Sequence, residues 1–303
     1  MVAGPTAVGK TALCLSLARH FGTEIVSADS RQFYREMNVG TAKPTPEELE
    51  QVRHHLINSL SIQQNYDVKQ FETDALAALD QIFEKSSMAL ATGGSGLFVK
   101  TLCEGIDEMP SAHPSIRQSL KGQLKTKGLA ALTHQLKVLD PDYYQKADLS
   151  NSQRILRALE VCLSTGLPYS SFRTTTQKKK LPQKRPFSII KIGLERERNE
   201  LYERINQRVD EMLVNGLLEE AQSLYPFREQ NALQTVGYQE IFGYLEQQYN
   251  WEEAIRLIKR NTRRYAKRQL TWFKKDEEMH WFRLDSDAMQ NFQQIRMFIE
   301  SKL

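Results

Sequence analysis

The sequence predicts an α/β fold, a parallel sheet flanked by helices and interrupted by an all-helical insertion. Three observations predict it. Short apolar strand-like runs alternate with helical stretches over the first hundred residues. Helical periods without a clear strand then fill residues 111–176. Strand patterns return after that stretch, so one core is divided in sequence. A length of 303 residues agrees with about two domains.

Met1–Ala3 is a strand stub that runs into a glycine loop and a helix from Lys10 to His20. Glu24-Ile-Val-Ser27 reads as the second strand and His55-Leu-Ile-Asn58 as a weaker third. A helix from Val68 to Lys85 follows. Met88-Ala-Leu-Ala-Thr92 is a short buried strand closed by Gly93 and Gly94. Beyond Pro110 the pattern is helical, punctuated by Pro114, Pro141 and Pro168, and it ends in the polar basic stretch Thr174–Lys180. Phe187-Ser-Ile-Ile-Lys-Ile192 returns to strand. Several helices follow, then a late strand at His280–Leu284 and a terminal helix. The expected division is a core of residues 1–110 and 186–303 with a helical insertion of residues 111–185.

An apolar content of 40% suffices for an ordinary core, and 26% charged residues suit a soluble surface. No apolar run approaches the roughly 18 residues a membrane-spanning helix needs. The glycine loop begins at once, which leaves no room for a secretory signal. Cys14, Cys103 and Cys162 are odd in number and far apart, without metal-ligand spacing. They read as small core residues of a reduced, cytoplasmic protein. His54 and His55 lack a third ligand and read as strand-edge residues. Net charge is only +4, with a pI near 8.8, a weak pointer to nucleic acid.

Gly4-Pro-Thr6-Ala7-Val8-Gly9-Lys10-Thr11 fits G-x-x-x-x-G-K-[ST] between a strand and a helix. Such a loop aims backbone N–H groups at an anion, and the helix N-terminus adds partial positive charge. Lys10 supplies a full charge, and the Thr11 hydroxyl can meet Mg²⁺. The expected sheet is therefore of the P-loop NTPase-like kind. The motif specifies phosphate without specifying a reaction, since kinases and triphosphatases carry it too. Asp29 follows the second strand, at the sheet end that faces the ligand crevice in parallel folds. It reads either as a base near the phosphate loop or, with Ser30, as a cap on the next helix.

From Ala254 to Lys275 there is no Asp or Glu. On a helical wheel Arg256, Arg260, Arg263, Lys267 and Lys274 share one face, with Ala254, Ile258, Tyr265 and Trp272 opposite. Like charges at i,i+4 destabilise a helix by roughly 0.2–0.5 kcal/mol per pair, so a bare cationic face suggests an outside anion such as RNA phosphate. A solvated surface helix is the alternative. Lys178–Lys180, Lys184 and Arg185 read as a soluble linker, and Leu201, Ile205 and Met212 as core.

The phosphate loop is followed by Asp29-Ser30-Arg31-Gln32-Phe33-Tyr34, then by Gly40-Thr-Ala-Lys-Pro44 and Gly93-Gly-Ser-Gly-Leu-Phe98. Ser152-Gln-Arg-Ile-Leu-Arg-Ala-Leu-Glu160, Met212–Leu217, Val236-Gly237-Tyr238-Gln239 and Ala266-Lys-Arg-Gln-Leu-Thr-Trp272 come after them. In this order and over nearly the whole chain, the set resembles the tRNA dimethylallyltransferases, or tRNA isopentenyltransferases, of bacterial type. The resemblance implies a monomeric cytoplasmic enzyme that moves a dimethylallyl group from its diphosphate to the N6 amine of the adenosine 3′ to the anticodon, with Mg²⁺.

It also implies residue roles. Gly4, Thr6, Ala7, Val8, Gly9, Lys10 and Thr11 would hold the diphosphate, with Arg204 as a clamp and Arg198 as a second candidate. Asp29 would accept the amine proton, while Ser30, Arg31 and Gln32 fix the flipped base. RNA contacts would fall on Ser95 and Arg117, on Gln153, Arg154, Ile155, Leu156 and Arg157, on Val236–Gln239, and on Arg260, Arg263, Lys267, Arg268 and Gln269. The sequence departs from the family's usual G-G-T-G-L-Y. Ser95 keeps a hydroxyl there, whereas Phe98 removes a phenol and puts a tyrosine role at that position in doubt.

Overall fold

The computed structural model describes residues 1–107, 109–110, 112–173 and 185–303. The basic stretch Thr174–Lys180, Lys184 and the expected boundary residue Ser111 lie outside the described residues. The chain divides into two compact units, Met1–Cys103 with Arg185–Leu303, and Glu104–Lys184. Compared with the expected division, Glu104 to Pro110 join the helical unit. Arg185 belongs to the core rather than to a linker. Its guanidinium is buried and donates to Glu72 Oε1 at 2.6 Å and to the Thr101 and Leu102 carbonyls at 2.6 and 3.0 Å.

In chain order the first unit begins with β1 (Val2–Ala3), α1 (Lys10–Phe21), β2 (Ile25–Ser27), α2 (Pro46–Gln51), β3 (His54–His55), α3 (Val68–Phe83), β4 (Leu90–Gly93) and α4 (Gly96–Glu104). The helical unit holds α5 (Pro114–Leu139), α6 (Pro141–Lys146) and α7 (Ser152–Thr165). The core resumes with β5 (Ile192–Glu195), α8 (Arg198–Val214), α9 (Leu217–Leu224), α10 (Tyr238–Leu245), α11 (Trp251–Phe273), β6 (His280–Arg283) and α12 (Ala288–Glu300).

All strand pairs are parallel, in the order β3-β2-β4-β1-β5-β6. The sheet is short because its central strand is short. β1 offers only Val2 and Ala3 for pairing, so β5 joins it at Ile192 and Gly193. The expected strand at Phe187 therefore starts five residues later, and Phe187 instead packs its ring against Phe83. The third strand stops at His55 because Leu56 and Asn58 take positive φ values of 63° and 55°, a conformation that strands exclude. His55 meets Glu24 Oε2 at 2.5 Å and His54 meets the Val52 carbonyl at 2.8 Å, so both are tied locally.

Apolar side chains from β1, β2, β4 and β5 fill the layers between sheet and helices, and all three cysteines are buried. Leu201 and Ile205 of α8 are core residues as expected. The helical unit has its own core, in which Leu120, Leu132 and Leu136 of α5 meet Ile155 and Leu159 of α7. Among the described residues no helix is long and apolar enough to cross a membrane.

The segment Gly40–Pro44 is anchored by one carboxylate. Glu220 of α9 accepts N–H bonds from Asn38, Val39 and Gly40 at 2.7, 2.9 and 2.9 Å, and the Tyr238 hydroxyl at 2.6 Å. A Cβ on Gly40 would stand 2.6 Å from the Tyr238 ring, so only glycine fits. Glu220→Gln replaces one acceptor oxygen with an NH₂ aimed at two N–H groups. It should destabilise the protein by about 1.5–3 kcal/mol, one charge-assisted hydrogen bond or more. The midpoint of urea unfolding checks this.

Candidate active site

The phosphate loop lies between β1 and α1 at the carboxyl end of the sheet, where parallel strands leave a crevice. Its turn needs positive φ at Ala7 (62°) and Gly9 (109°). A Cβ on Gly4 would sit 2.8 Å from the Leu194 carbonyl of β5, which keeps that position bare. Lys10 folds back over the loop and donates to the Gly4 and Pro5 carbonyls at 2.9 and 2.7 Å. Burial first, and Arg208 next, pull its pKa from 10.5 down to about 8, against the opposing effect of Asp29.

Three arginines close on the loop. Arg196, at the end of β5, donates to the Val8 carbonyl at 2.9 Å. Arg204 of α8 donates to the Ala7 carbonyl at 2.9 Å, and Arg208, one turn on, donates to Thr6 Oγ1 at 3.2 Å. Burial and then Arg204 disfavour the charge on Arg208. Arg204 is thus where the sequence put it, while Arg196 and Arg208 were missed. Helical spacing could have found Arg208, since i+4 from Arg204 falls on the same face. Arg198 does not join them. Six residues before Arg204 on the helix, it faces elsewhere and engages the Tyr202 hydroxyl and ring.

Asp29 stands beyond β2. Its Oδ1 accepts the Arg31 N–H at 2.9 Å, and among the described residues no donor reaches Oδ2. Its charge acts on Lys10, on Arg208 and on Tyr265, so the carboxylate lies within electrostatic range of the cationic loop. The bland reading of Asp29 as a helix cap fails, because the chain after it forms turns rather than a helix. Ser95 accepts the Ser30 N–H at 2.9 Å and donates to Ser30 Oγ at 3.0 Å. Gln32 donates to the Thr41 and Ala42 carbonyls at 3.4 and 3.2 Å. Gly93 allows this approach, since a Cβ there would lie 2.3 Å from the Ala28 carbonyl. Phe98 is an aromatic packing residue against Phe33 and Phe71, and needs no phenol.

Helix α11 forms a wall of the site. Tyr265, assigned by the wheel to an apolar face, lies beside Ser95, and burial and then Asp29 push its pKa up to about 12. Trp272 is 40% exposed rather than core, and lies against Gly96. The cationic face is less bare than the helix's own sequence implies. Glu253 pairs with Arg256 at 2.6 Å, Asp210 with Lys259 at 2.6 Å and Glu195 with Lys274 at 2.8 Å. Arg263 donates to Asn206 Oδ1 at 2.5 Å, and Arg260 to Asn261 Oδ1 at 3.2 Å. Exposed Arg264, Lys267 and Arg268 keep no carboxylate partner among the described residues.

Some expected RNA contacts are corrected by burial. Ile155 and Leu156 are core residues of the helical unit, and Tyr238 is 0% exposed with its hydroxyl on Glu220. Gly237 is buried, Val236 is half-buried, and Gln239 lies on the surface. Gln269 is 6% exposed and bonded inward. Gln153 and Arg154 are exposed on α7. Arg117 and Arg157 both reach buried Glu160, Arg117 through two bonds of 2.7 and 3.0 Å. Part of each guanidinium is thereby committed to folding.

The residues fit Mg²⁺ in the manner of a phosphate loop. Among the described residues there is no cluster of three His, Cys, Asp or Glu side chains suited to a metal. Mg²⁺ commonly takes one or two protein oxygens and completes its shell with substrate phosphate and water. The half-buried Thr11 hydroxyl, at the start of α1, is such an oxygen.

Fold and site together define a P-loop-like α/β protein with an anion cradle opening onto a carboxylate. A family model described as IPP transferase matches residues 32–276. The chain is 50% identical over 305 residues to the tRNA dimethylallyltransferase of Christiangramia forsetii, covering 100% of this chain and 97% of that one. It is 49% identical over 279 residues to tRNA dimethylallyltransferase 1 of Bacteroides fragilis, covering 92% and 91%. Among solved structures, the full-length tRNA isopentenylpyrophosphate transferase of Bacillus halodurans superposes with a TM-score of 0.71 at 36% identity, covering 99% of this chain and 95% of that one. A eukaryotic dimethylallyltransferase described as acting on tRNA gives 0.81 at 26% identity, covering 99% and 77%. The chain belongs to the IPP transferase family, and is a prenyltransferase.

Two predictions follow from the cradle. Removing the Arg208 guanidinium (Arg208→Ala) should weaken binding of inorganic diphosphate about 10- to 100-fold, as expected for one lost charge-assisted contact, read by calorimetry. Lys10 has a folded pKa of about 8, below its ordinary 10.5. Between those values the unfolded chain binds more protons, so the stability of the ligand-free protein should rise with pH there. Diphosphate affinity should do the reverse, holding below pH 8 and falling above it as the ammonium is lost. Lys10→Met should bind weakly and lose this component of the pH dependence.

Proposed function

We propose that this protein transfers the dimethylallyl group of dimethylallyl diphosphate to the N6 amine of the adenosine 3′-adjacent to the anticodon, position 37 of tRNA, releasing diphosphate. The reading places it in the cytoplasm, acting as a monomer. The observation that carries it is that Asp29 lies within electrostatic range of Lys10 and Arg208. A kinase would share the loop, but the family match and the exposed cations of α11 favour a polymeric RNA acceptor.

The adenine amine is a weak nucleophile, because its lone pair is delocalised into the ring. As its nitrogen bonds to the allylic carbon, positive charge develops on nitrogen and the carbon–oxygen bond to diphosphate breaks. Asp29, through the unengaged Oδ2, takes the amine proton. Loop N–H groups, Lys10, Arg204 and Arg208 stabilise the charge that builds on the leaving oxygens. Thr11, through its hydroxyl, would hold Mg²⁺, which would supply Lewis-acid stabilisation of the leaving diphosphate. Exclusion of water protects the prenyl diphosphate from hydrolysis.

The base must leave its stack, which costs a few kcal/mol and less in a loop than in a duplex. Ser30, Arg31, Gln32 and Ser95 are assigned to the flipped base, and the Ser30–Ser95 and Gln32–Thr41 bonds that hold this turn support that reading. Gln153, Arg154 and Arg157 of the helical unit, with Arg260, Arg264, Lys267 and Arg268 of α11, are assigned to the RNA backbone.

Mass spectrometry of nucleosides from unmodified tRNA, incubated with dimethylallyl diphosphate and Mg²⁺, tests the activity. A dimethylallyl adduct on adenosine is expected. Phosphate transfer from ATP without prenylation would replace the reading with a kinase. Asp29→Asn should lower turnover by about 10²- to 10⁴-fold, with tRNA affinity kept within a few-fold. Normal turnover in that variant would remove Asp29 from the proton transfer.

A further inference from the structure

Gln269 is a buried amide whose hydrogen bonds join its helix to two other parts of the core. Its Oε1 accepts the Thr6 N–H of the phosphate loop at 2.9 Å, and its Nε2 donates to the Gly94 carbonyl after β4 at 2.8 Å. A Cβ on Gly94 would lie 2.5 Å from that Nε2, so the glycine makes room for the amide. Along the same face of α11, Tyr265 lies beside Ser95 and Trp272 covers Gly96. Residues 265, 269 and 272 thus grip residues 94–96, and only Gln269 among them also holds the phosphate loop. The outward residues Arg264, Lys267 and Arg268 sit within the same turns.

We propose that Gln269 is a positioning residue that couples the RNA-bearing helix to the diphosphate cradle, so that occupancy of either site changes affinity at the other. The inference rests on the functional reading above, in which α11 meets RNA and the loop meets diphosphate. The mechanism is rigid. Phosphates drawn to Arg264, Lys267 and Arg268 fix the position of α11, and the amide transmits that position to the Thr6 N–H and the Gly94 carbonyl. Tyr265 and Trp272 keep the helix packed when the amide is removed, so RNA can still bind while the loop no longer follows it. Burial excludes the alternative that the Gln269 side chain itself reads a base.

The test measures binding of inorganic diphosphate with Mg²⁺ by calorimetry, with and without a saturating catalytically inert anticodon stem-loop in which the target adenosine is replaced by inosine. The reciprocal titration is run as well, because linkage requires the same factor in both directions. The unaltered protein should show a coupling factor of roughly 5- to 150-fold. Gln269→Met keeps the bulk and loses both hydrogen bonds. It should bind each ligand alone within a few-fold, with the coupling factor falling towards one. Gln269→Glu keeps an acceptor for Thr6 but sets an oxygen against the Gly94 carbonyl, and should lose most of the coupling. It serves as the second probe should the Met variant fold poorly.

Unchanged coupling in a folded variant, no coupling in the unaltered protein, or a large loss of RNA affinity in the variants would overturn the inference alone. Failure of the unaltered protein to bind diphosphate at all would sink the functional reading, and this inference with it.

Discussion

Uncompensated positive charge around the first loop is the constraint on which the site depends. Lys10, Arg204 and Arg208 converge there, yet their hydrogen bonds go to carbonyls and a hydroxyl rather than to carboxylates. Asp29 acts on both Lys10 and Arg208, and Glu211 and Glu48 act on Arg208 as well, yet none of the three carboxylates is hydrogen-bonded to the group. Elsewhere the protein does pair its buried cations, as Arg185 with Glu72 and Lys191 with Asp276 show. Under the proposed function, this cluster without a directly bonded carboxylate is met by a diphosphate, an anion of more than one charge.

Such a cluster repels itself, so the loop must be held against it. Backbone geometry does part of this through the positive φ values of Ala7 and Gly9. Acceptors on the loop do the rest. Arg196 and Arg204 donate to the Val8 and Ala7 carbonyls. The same arginines that await the anion therefore brace the loop that will hold it. Preorganisation of this kind lets the leaving group's charge be stabilised without rearrangement as it forms.

The sheet, the divided core and the helical insertion were legible because each rests on a local pattern. Strand periodicity, the glycine loop and helical spacing are all read within a few residues. The edges were less legible because they depend on partners. The fifth strand starts at Ile192, where β1 can pair with it, and the third ends where Leu56 turns to positive φ. At the site, Asp29, Lys10 and Arg204 lay within recognisable motifs. Arg196, Arg208 and Tyr265 were missed because what gives them meaning is a contact with a distant segment.

Helix α11 shows why charge read along one sequence window overstates an electrostatic face. Its own residues carry no acid from Ala254 onward, but Glu253, Asp210 and Glu195 arrive from its first turn, from α8 and from β5. These pairs are partly exposed and contribute little stability each. They change where an anion can be drawn. The paired cations lie towards the two ends and the α8 side. Arg264, Lys267 and Arg268 remain together in the middle of the helix, in the same turns as Tyr265 and Gln269. Under the proposed function, an RNA phosphate seated there would lie on the helix that holds the Thr6 N–H and the Gly94 carbonyl. The helix carries these cations beside the face that touches the phosphate loop and the Gly94–Gly96 turn, with Arg268 over the Tyr265 ring.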